Sequence, residues 1–359
     1  MTLQRKLSIS ALALVMVAGT GFTPGHGSVA PAWQLTDTGT SGPATATVRF
    51  RGLAPVNAKV AWAGGSAGTV LRTVDGGRTW ASVGPPEAAP PGATALQFRD
   101  IEATDARHAV ALTIGYGADS RIYTTSDGGR SWIEAFRGDD PAAFYDCLTF
   151  SDRRHGLALG DPVGGKFQIL ATDDGGRSWK LRPTAGMPDA LPGEFAFAAS
   201  GTCLVSHGRN AWFATGGDAT ARVFHSRDGG RTWSVTDSPL PSGPTAGIYS
   251  LAFRDSRHGL AVGGDYEVPE TAPDGSAVTR DGGRHWTVSR TVPGEYRSGV
   301  TWRGHHTALA VGPTGSDISY DGGTTWRRFD TGSFDAVACA DDGSCWASGE
   351  KGRIARFKH

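Results

Sequence analysis

TSDGGRSW, residues 125–132, recurs five more times along the chain with small changes. The other copies are TVDGGRTW (73–80), TDDGGRSW (172–179), SRDGGRTW (226–233), TRDGGRHW (279–286) and SYDGGTTW (319–326). We call these six segments the DGG phrases. An Asp followed by two glycines suits a tight hairpin turn, because the carboxylate accepts hydrogen bonds from nearby backbone N–H groups and glycine reaches positive φ without strain.

The DGG phrases are therefore expected to be structural turns, each ending in a Trp that fills space between packed sheets. Their aspartates are Asp75, Asp127, Asp174, Asp228, Asp281 and Asp321, and their tryptophans are Trp80, Trp132, Trp179, Trp233, Trp286 and Trp326. Calcium loops need several oxygen ligands at short alternating spacing, whereas each phrase has one regularly placed Asp. A phosphate-binding glycine loop requires a following helix, and each phrase is followed by a strand pattern.

The segment before and after each phrase predicts a small antiparallel sheet. Residues 148–182 contain four short apolar or alternating segments separated by turn residues, which is typical of a four-stranded sheet. One such sheet cannot stand alone, and radial stacking of copies is the usual solution. The repeats thus predict an all-β fold, a β-propeller.

The two ends of the chain predict how many blades there are. After the sixth phrase, residues 334–341, 344–349 and 352–359 supply three more strand patterns, and WQLTDTG at 33–39 supplies a fourth. We therefore expect a seven-bladed β-propeller of four-stranded antiparallel blades, closed by pairing of the N-terminal strand with the C-terminal blade. Residues 33–359 would form this single domain, with about 47 residues per blade.

The pattern S/T-x-D-G-G-x-T/S-W resembles the Asp-box, or BNR repeat, of β-propellers. The longer unit, with VRFRGL (48–53) and FRDSRHGLAVGGD (253–265), most resembles the photosystem II stability/assembly-factor-like family and its bacterial relatives, some of which are described as oxidoreductases. This resemblance implies a non-enzymatic propeller that binds a protein or peptide. Similar boxes also occur in sialidases, in xyloglucan-cleaving enzymes and in sortilin-type receptors, so the resemblance is more specific for fold than for function.

Residues 1–32 have the pattern of a secretory signal peptide. A basic start precedes an apolar run at 7–17, which is too short to cross a membrane, and small residues follow. Cleavage is expected after Ala30 or after Ala32. The protein is accordingly predicted to be exported to the periplasm or the extracellular space, with no transmembrane segment after cleavage.

Composition excludes several classes of partner and cofactor. Lys plus Arg and Asp plus Glu are both 35, so no global charge favours nucleic acid. No dinucleotide fingerprint or haem motif accompanies the repeats, and no cysteine or histidine spacing indicates a metal site. We expect no cofactor and no metal, and redox catalysis is the weakest functional hypothesis.

Export would permit disulfides between the four cysteines. Cys339 and Cys345 flank the turn-like ADDGS, which makes a bridge across a hairpin plausible. Cys147 and Cys203 occupy equivalent positions in neighbouring blades. An interblade disulfide and two buried thiols both remain open for that pair, because equivalent positions of adjacent strands can be too far apart to bridge.

Alignment of the seven inner strands predicts a ring of polar side chains around the central channel. The ring is expected at the end of the channel on the face that carries the longer loops. The ring consists of Arg51, Arg99, Asp146, Thr202, Tyr249, Ser298 and Asp335. Loop residues that could join it are Asp161, Glu194, Asp265, Tyr296 and Arg297. The ring is either a binding site or a set of charges that satisfy each other, with Asp335 beside Arg51 and Arg99 beside Asp146.

Two function classes follow. The first is an exported non-enzymatic propeller that binds a protein or peptide on its loop-rich face. The second is a glycoside hydrolase of sialidase-like or xyloglucanase-like type, acting on carbohydrate through Arg51, Arg99, Tyr249 and Asp146 with Glu194 or Glu295. No residue is assigned as catalytic, and the oligomeric state is left undetermined.

Overall fold

The computed structural model describes residues 30–39, 48–218 and 220–358 of the 359-residue chain. Most of the predicted signal peptide, residues 1–29, lies outside the described residues. The described strands form seven antiparallel sheets of four strands each. The first strand of each sheet contacts the first strand of the next, and the last of these contacts the first again, so the sheets form a closed ring.

Each sheet is one blade, numbered in chain order. Blade 1 comprises β2 (Phe50–Pro55), β3 (Ala61–Gly65), β4 (Val70–Thr73) and β5 (Ala81–Ser82); blade 2 comprises β6 (Gln97–Ala103), β7 (Ala109–Ile114), β8 (Arg121–Thr125) and β9 (Ile133–Arg137). Blade 3 comprises β10 (Tyr145–Phe150), β11 (Gly156–Val163), β12 (Lys166–Thr172) and β13 (Lys180–Leu181); blade 4 comprises β14 (Leu204–His207), β15 (Asn210–Ala214), β16 (Arg222–Ser226) and β17 (Ser234–Asp237).

The remaining blades complete the ring. Blade 5 comprises β18 (Ala246–Phe253), β19 (Gly259–Asp265), β20 (Ser276–Thr279) and β21 (Thr287–Val288); blade 6 comprises β22 (Gly299–Trp302), β23 (Ala308–Gly312), β24 (Gly315–Ser319) and β25 (Arg327–Asp330). Blade 7 comprises β26 (Ala336–Cys339), β27 (Cys345–Ser348), β28 (Ile354–Lys358) and β1 (Ala32–Leu35). Short 3₁₀ helices occur at Pro86–Ala88, Gly117–Asp119 and Thr184–Gly186.

The N-terminal strand closes the ring, as the sequence predicts. β1 pairs antiparallel with β28, with Ala32 opposite Lys358 and Leu35 opposite Ala355. The Trp33 indole Nε1 also donates a hydrogen bond to the Ser316 hydroxyl of blade 6, at 2.9 Å. The seven-bladed architecture and its closure by both ends of the chain are thus confirmed, and closure removes the exposed strand edges that would invite pairing with other chains.

The DGG phrases form the turns between the third and fourth strands of blades 1–6. In the phrase at 125–132, Asp127 Oδ1 accepts hydrogen bonds from the Thr125 hydroxyl and the Ser131 backbone N–H, and Asp127 Oδ2 accepts one from the Ser131 hydroxyl at 2.7 Å. Gly128 and Gly129 have φ values of 85° and 79°, which a residue with a Cβ adopts only with strain. The Ser131 hydrogen bonds lower the pKa of Asp127 to about 2. The carboxylate therefore organises the turn.

The DGG tryptophans lie where two blades meet. The Trp132 indole Nε1 donates to the Val83 carbonyl of blade 1, at 2.6 Å, and its ring meets Trp62 of the same blade edge-on, with centroids 6.3 Å apart. Trp80 of blade 1 packs edge-on against Trp346 of blade 7 in the same way, at 5.9 Å. Each such Trp buries apolar surface between sheets that share no backbone ladder.

The inner strands are tied to each other at one repeated position, the residue after each ring position. Asp100 Oδ2 of blade 2 accepts a hydrogen bond from the Leu148 N–H of blade 3, at 2.7 Å, and Ser250 Oγ of blade 5 accepts one from the Val300 N–H of blade 6, at 2.9 Å. Blades 3 and 4 are joined covalently there, because Cys147 and Cys203 form a disulfide.

The Cys147 and Cys203 Cα atoms are 6.1 Å apart, which lies within the span of a disulfide. The structure thus selects the interblade disulfide from the two alternatives. Cys339 and Cys345 form the second disulfide, across the β26–β27 hairpin. All four cysteines fall within the described residues, and none is free.

Candidate functional site

A cavity of about 1150 Å³ is lined by residues of the inner strands and of the loops next to them. Loop residues Ala142, Leu191 and Tyr266 contribute to its rim. Five of the seven predicted ring residues line it: Arg51, Arg99, Asp146, Tyr249 and Asp335. A cavity of this size with convergent polar groups is the type of site in which proteins bind ligands.

Four of these ring residues lie at β-bulges. The register between the first and second strands shifts at residues 50/52, 98/100, 145/147 and 248/250, which leaves Arg51, Arg99, Asp146 and Tyr249 as the extra residues. A bulge bends its strand and changes the direction of the extra side chain, and bulges are common next to functional sites. Local backbone irregularity therefore brings these four side chains to the cavity.

Two predicted ring residues do not line this cavity. Thr202 shares a 2.6 Å hydrogen bond with the Ser250 hydroxyl and lies along a smaller central cavity instead. Ser298 donates to the Asp335 carbonyl at 2.7 Å and is buried. Both residues precede their strands, which begin at Leu204 and Gly299, and no bulge occurs there. The period-two alternation used to predict the ring does not determine side-chain direction outside a strand, and Asp335, which also precedes its strand, does line the cavity.

The five loop candidates also divide. Asp161, Glu194 and Tyr296 line the cavity. Asp265 does not; its carboxylate accepts the Glu267 N–H at 2.9 Å and so folds back onto its own loop. Arg297, which is fully buried, does not line the cavity either, because its guanidinium pairs with Asp317 Oδ2 at 2.6 Å.

Glu194 lies at the cavity wall, but its carboxylate is engaged in the protein interior. Its oxygens accept hydrogen bonds from the Arg222 guanidinium, at 2.9 and 2.5 Å, and from the Thr215 hydroxyl, at 2.6 Å. The pair is almost completely buried, so removal of either partner would leave an uncompensated charge. Glu194 therefore holds the segment before β14 in place and offers no free acid to a ligand.

One wall of the cavity is aromatic. Phe197 stacks on Tyr249, with centroids 3.9 Å apart. Phe195, Tyr296 and Tyr266 surround this pair at centroid distances of 4.7 to 6.5 Å from one or other ring. The Tyr249 side chain is only 2% exposed, and its hydroxyl donates to the Thr245 carbonyl at 2.6 Å. Sequence reasoning missed Phe195 and Phe197, although the alternating GEFAFA at 193–198 is a signal that could have found them.

Arginines line another part of the cavity. Arg49, which the sequence-based ring omitted, binds Asp335 through both carboxylate oxygens, at 2.8 and 2.5 Å. Arg51 Nε lies 3.5 Å from the same carboxylate. Arg99 donates to the Ala198 carbonyl at 2.8 Å. Asp335 is therefore compensated within the ring, by Arg49 as well as by Arg51.

The second expected pairing, of Arg99 with Asp146, is not formed. Among the described residues no salt bridge includes Asp146, and its Oδ2 has no hydrogen-bond partner. Burial and the negative charge of neighbouring Asp161 raise the pKa of Asp146 well above its ordinary value. Burial raises the pKa of Asp161 to about 7, although a hydrogen bond from the Ala196 N–H acts in the opposite direction and lowers it. Within the described residues, these two acids of the cavity lining have no cationic side chain as an ion-pair partner.

The geometry does not assemble the acid–tyrosine set that sialidase-like chemistry requires. Such chemistry needs a glutamate free to pair with Tyr249, but the Tyr249 hydroxyl is bound to a backbone carbonyl and Glu194 is held by Arg222. Glu295 is held by Arg328, at 2.9 and 2.5 Å. The two glutamates proposed for this role are therefore committed to arginines.

A smaller cavity of about 180 Å³ lies along the central channel and contains a second pair of acids, Asp100 and Glu102. Burial raises the pKa of Glu102 to about 7. A raised acid pKa favours the protonated carboxyl in the folded protein, so ionisation of Glu102 above pH 7 opposes folding. The penalty disappears as the pH falls below the folded pKa.

We expect Glu102→Gln to stabilise the protein at pH 8 by up to about 3 kcal/mol, since one pKa unit corresponds to about 1.4 kcal/mol. At pH 5 the gain should be much smaller, because Glu102 is then already protonated in the folded state. Denaturant unfolding of both proteins at the two pH values measures this difference. An equal gain at both pH values would show that Glu102 is not the group responsible.

In the part of the chain that the structure describes, no group of three or more His, Cys, Asp or Glu side chains is arranged to hold a metal ion. Nor do residues 30–39, 48–218 and 220–358 include a helix with the length and hydropathy of a membrane span.

Comparison with known proteins relates the chain to other propellers by structure. No protein-family profile and no curated protein matches the sequence. The structure of YCF48 from Cyanidioschyzon merolae has a TM-score of 0.64 and 17% identity, over 91% of this chain and 98% of that one. YCF48 bound to D1 peptide has a TM-score of 0.59 and 12% identity, over 91% and 95%.

The structure of U3-55K also has a TM-score of 0.59 and 12% identity, over 91% of this chain and 98% of that one. At such identities a likeness establishes the fold and nothing finer. The chain is therefore similar to YCF48 as a seven-bladed β-propeller of matching extent.

Proposed function

We propose that this protein is an exported, non-enzymatic β-propeller that binds an extended peptide segment of a protein partner in the cavity at its loop-rich face. The observation that carries the proposal is the composition of that cavity: the five rings of the aromatic wall and the arginines Arg49, Arg51 and Arg99 line a space of about 1150 Å³. Aromatic and arginine side chains contribute most of the binding energy at protein interfaces.

The aromatic wall suits apolar side chains of a bound peptide, whereas Arg99 suits its carbonyl or carboxylate groups. Phe195, Phe197 and Tyr296 offer apolar surface, and Tyr266, half exposed at 50%, adds a ring at the rim. Arg99 reaches the cavity while bonded to only two groups, the Ala198 carbonyl and the Gln97 side chain. It can therefore donate its remaining N–H groups to peptide carbonyls or to a carboxylate.

Comparison supports the same class of function. YCF48, whose fold this chain shares, has a structure bound to D1 peptide. The DGG phrases resemble Asp-boxes, and the longer repeat resembles the photosystem II stability/assembly-factor-like family and its bacterial relatives, so we propose membership of that branch. A photosynthetic partner is not part of the proposal, since one fold serves many functions.

Export is supported by the cysteines and by the N-terminal sequence. Both disulfides lie within the described residues, and disulfides persist in oxidising compartments such as the periplasm and the extracellular space. The basic start and short apolar run of residues 1–32 have the pattern of a cleaved signal. Sequencing the N-terminus of the protein recovered from the exported fraction tests this part of the proposal.

Peptide binding is tested with a displayed library of random peptides panned against the purified protein, followed by affinity measurement with the enriched peptides. We expect Arg99→Ala and Tyr266→Ala each to weaken binding by about tenfold or more, which corresponds to about 1.4 kcal/mol. Both residues are solvent-accessible, so neither change should affect folding. Tyr249 is less suitable for alanine substitution, because its ring is buried and its loss would also create a cavity.

Matched controls lie on the opposite face, beside the DGG turns. Arg130→Ala and Tyr320→Ala remove the same residue types from that face, and the affinity of the enriched peptides should not change. The proposal is wrong if no peptide is enriched. It is also wrong if the two control variants reduce the affinity for the enriched peptides as much as the cavity variants do.

A further inference from the structure

We propose that Asp146 and Asp161 form a subsite for an organic cation, an alkylammonium or guanidinium group carried by the ligand of the large cavity. The inference rests on the proposed function and adds the chemistry of one part of that ligand: a peptide with a Lys or Arg side chain, or a free amino terminus, at this position.

The backbone brings the two acids together. Asp146 is the extra residue of a bulge in β10, and Asp161 is the extra residue of a bulge in β11, where the register shifts between Gly160 and Pro162. Tyr145 and Gly160 are directly opposite each other, so each Asp follows one member of the same cross-strand pair. Two adjacent bulges thus direct both carboxyl groups to one corner of the cavity.

The pair lacks a partner that its burial requires. Asp146 is 1% exposed, lines the cavity, and has an Oδ2 atom with no hydrogen bond. Asp161 Oδ1 accepts the Ala196 N–H, and Asp161 remains partly exposed to the cavity. Buried polar groups in folded proteins are nearly always hydrogen-bonded, and an exception calls for an explanation. A ligand cation that enters past Asp161 and reaches Asp146 provides one.

The cations of the protein itself are used elsewhere. The charged and titratable side chains on the elements packed around the pair include Arg99, Asp100 and Glu102 on β6, Tyr116 after β7, Tyr145 on β10, Lys166 on β12, Glu194 before β14 and His207 on β14. Arg99 donates to the Ala198 carbonyl, and Lys166 pairs with Asp189 at 2.7 Å. Within the described residues, no salt bridge reaches Asp161 either. The described residues therefore supply no cation to the pair.

The surroundings favour an organic cation over a metal ion. Calcium takes six to eight oxygen ligands, and no described group of three or more ligating side chains exists here. The aromatic pair of Tyr116 and Phe144, with centroids 5.3 Å apart, lines the same cavity, and Tyr116 is 70% exposed. Aromatic faces attract ammonium and guanidinium groups and pack against their methylene chains.

Cation binding at this pair should be linked to proton release. Burial raises the pKa of both acids and so favours their protonated carboxyl groups when no cation is bound. A bound cation favours the ionised carboxylates and expels protons. Affinity should therefore rise as the pH increases from 5 to 8, and calorimetry in buffers of different ionisation enthalpy should detect proton release on cation binding at pH 6.

The probes are n-butylammonium and n-butylguanidinium, with n-butanol as the neutral counterpart of the same chain length. At pH 8 we expect both cations to bind the full-length protein at least about tenfold more tightly than n-butanol. Asp146→Asn and Asp161→Asn should each remove this preference. Asp265→Asn, on the same face but outside the cavity, is the matched control and should keep it.

The outcomes separate this inference from peptide binding in general. Equal affinity for the cations and n-butanol, or an unchanged preference in Asp146→Asn and Asp161→Asn, overturns the subsite. Another outcome is a set of enriched peptides that lack Lys, Arg and a free amino terminus and yet bind Arg99→Ala more weakly than the wild type. That result would overturn the cation subsite and leave the proposed function intact. Conversely, cation binding without any enriched peptide would support the subsite and contradict the proposed function. The wild-type measurements of pH dependence and proton release require no variant to fold.

Discussion

Trp179→Ala is expected to lower the free energy of unfolding by about 3–5 kcal/mol, the usual cost of truncating a buried Trp. The side chain is 7% exposed and meets Phe150 edge-on, with centroids 5.8 Å apart. It belongs to the same apolar cluster as Val110 and Leu112 of the preceding blade. Alanine would leave a cavity at the junction of blades 2 and 3, and denaturant unfolding followed by Trp fluorescence or circular dichroism measures the loss.

The control for this prediction is Leu181→Ala, two residues further along the chain. Leu181 is 55% exposed, so its truncation should cost under about 1 kcal/mol. If both variants unfold at the same denaturant concentration as the wild type, the DGG tryptophans do not join the blades energetically, and their position between the sheets has another explanation.

Replacement of both Cys147 and Cys203 with alanine should have an effect of similar size. The disulfide closes a loop with a sequence separation of 56, and the chain-entropy relation predicts a loss of about 4 kcal/mol for a loop of that length. Both cysteines are fully buried between blades 3 and 4, and Cys147 follows Asp146 directly. Thermal and denaturant unfolding of the double variant, with and without reductant, measures the contribution.

The second disulfide provides the comparison. Cys339 and Cys345 are six residues apart and already face each other across a hairpin, so their replacement should cost only about 2 kcal/mol by the same relation. Equal losses for the two double variants would contradict the view that loop length determines the difference. No loss in either would show that neither bridge forms in solution.

The fold could be predicted from sequence because the same turn and strand patterns recur along the chain. Six DGG phrases fix six hairpins, and the strand patterns at 33–39 and 334–359 can be completed only by pairing with each other. Each copy supports the others, so an error in one would not change the blade count. The cavity has no such redundancy, because each blade contributes a different residue to it.

The site was predictable only where the backbone is regular or where the irregularity recurs. Arg51, Arg99, Asp146 and Tyr249 reach the cavity because four inner strands carry a bulge at the same place, and a sequence alignment records that place without showing the bulge. Thr202 was placed by the same alignment, but its strand begins only at Leu204. A rule based on alternation cannot distinguish these cases.

Two further features lay beyond sequence because they depend on distances between strands. The Cys147–Cys203 bridge was undecided until the Cα separation of 6.1 Å was known. Likewise, ring order suggested that Arg99 would neutralise Asp146, whereas Arg99 instead extends to the Ala198 carbonyl. Which of several nearby partners a long side chain selects is a matter of a few ångströms, and residue order around a ring does not determine it.

Closure of blade 7 by β1 and β28 also has a kinetic consequence. Their paired residues, such as Trp33 and Phe357, are separated by almost the whole chain, and contacts of such high sequence separation form slowly. During synthesis, β1 must wait, unpaired, until β28 has also been made. Blades 1–6 can assemble in the interval, but the ring stays open, with two strand edges exposed to chaperones, proteases or another copy, until the final residues arrive.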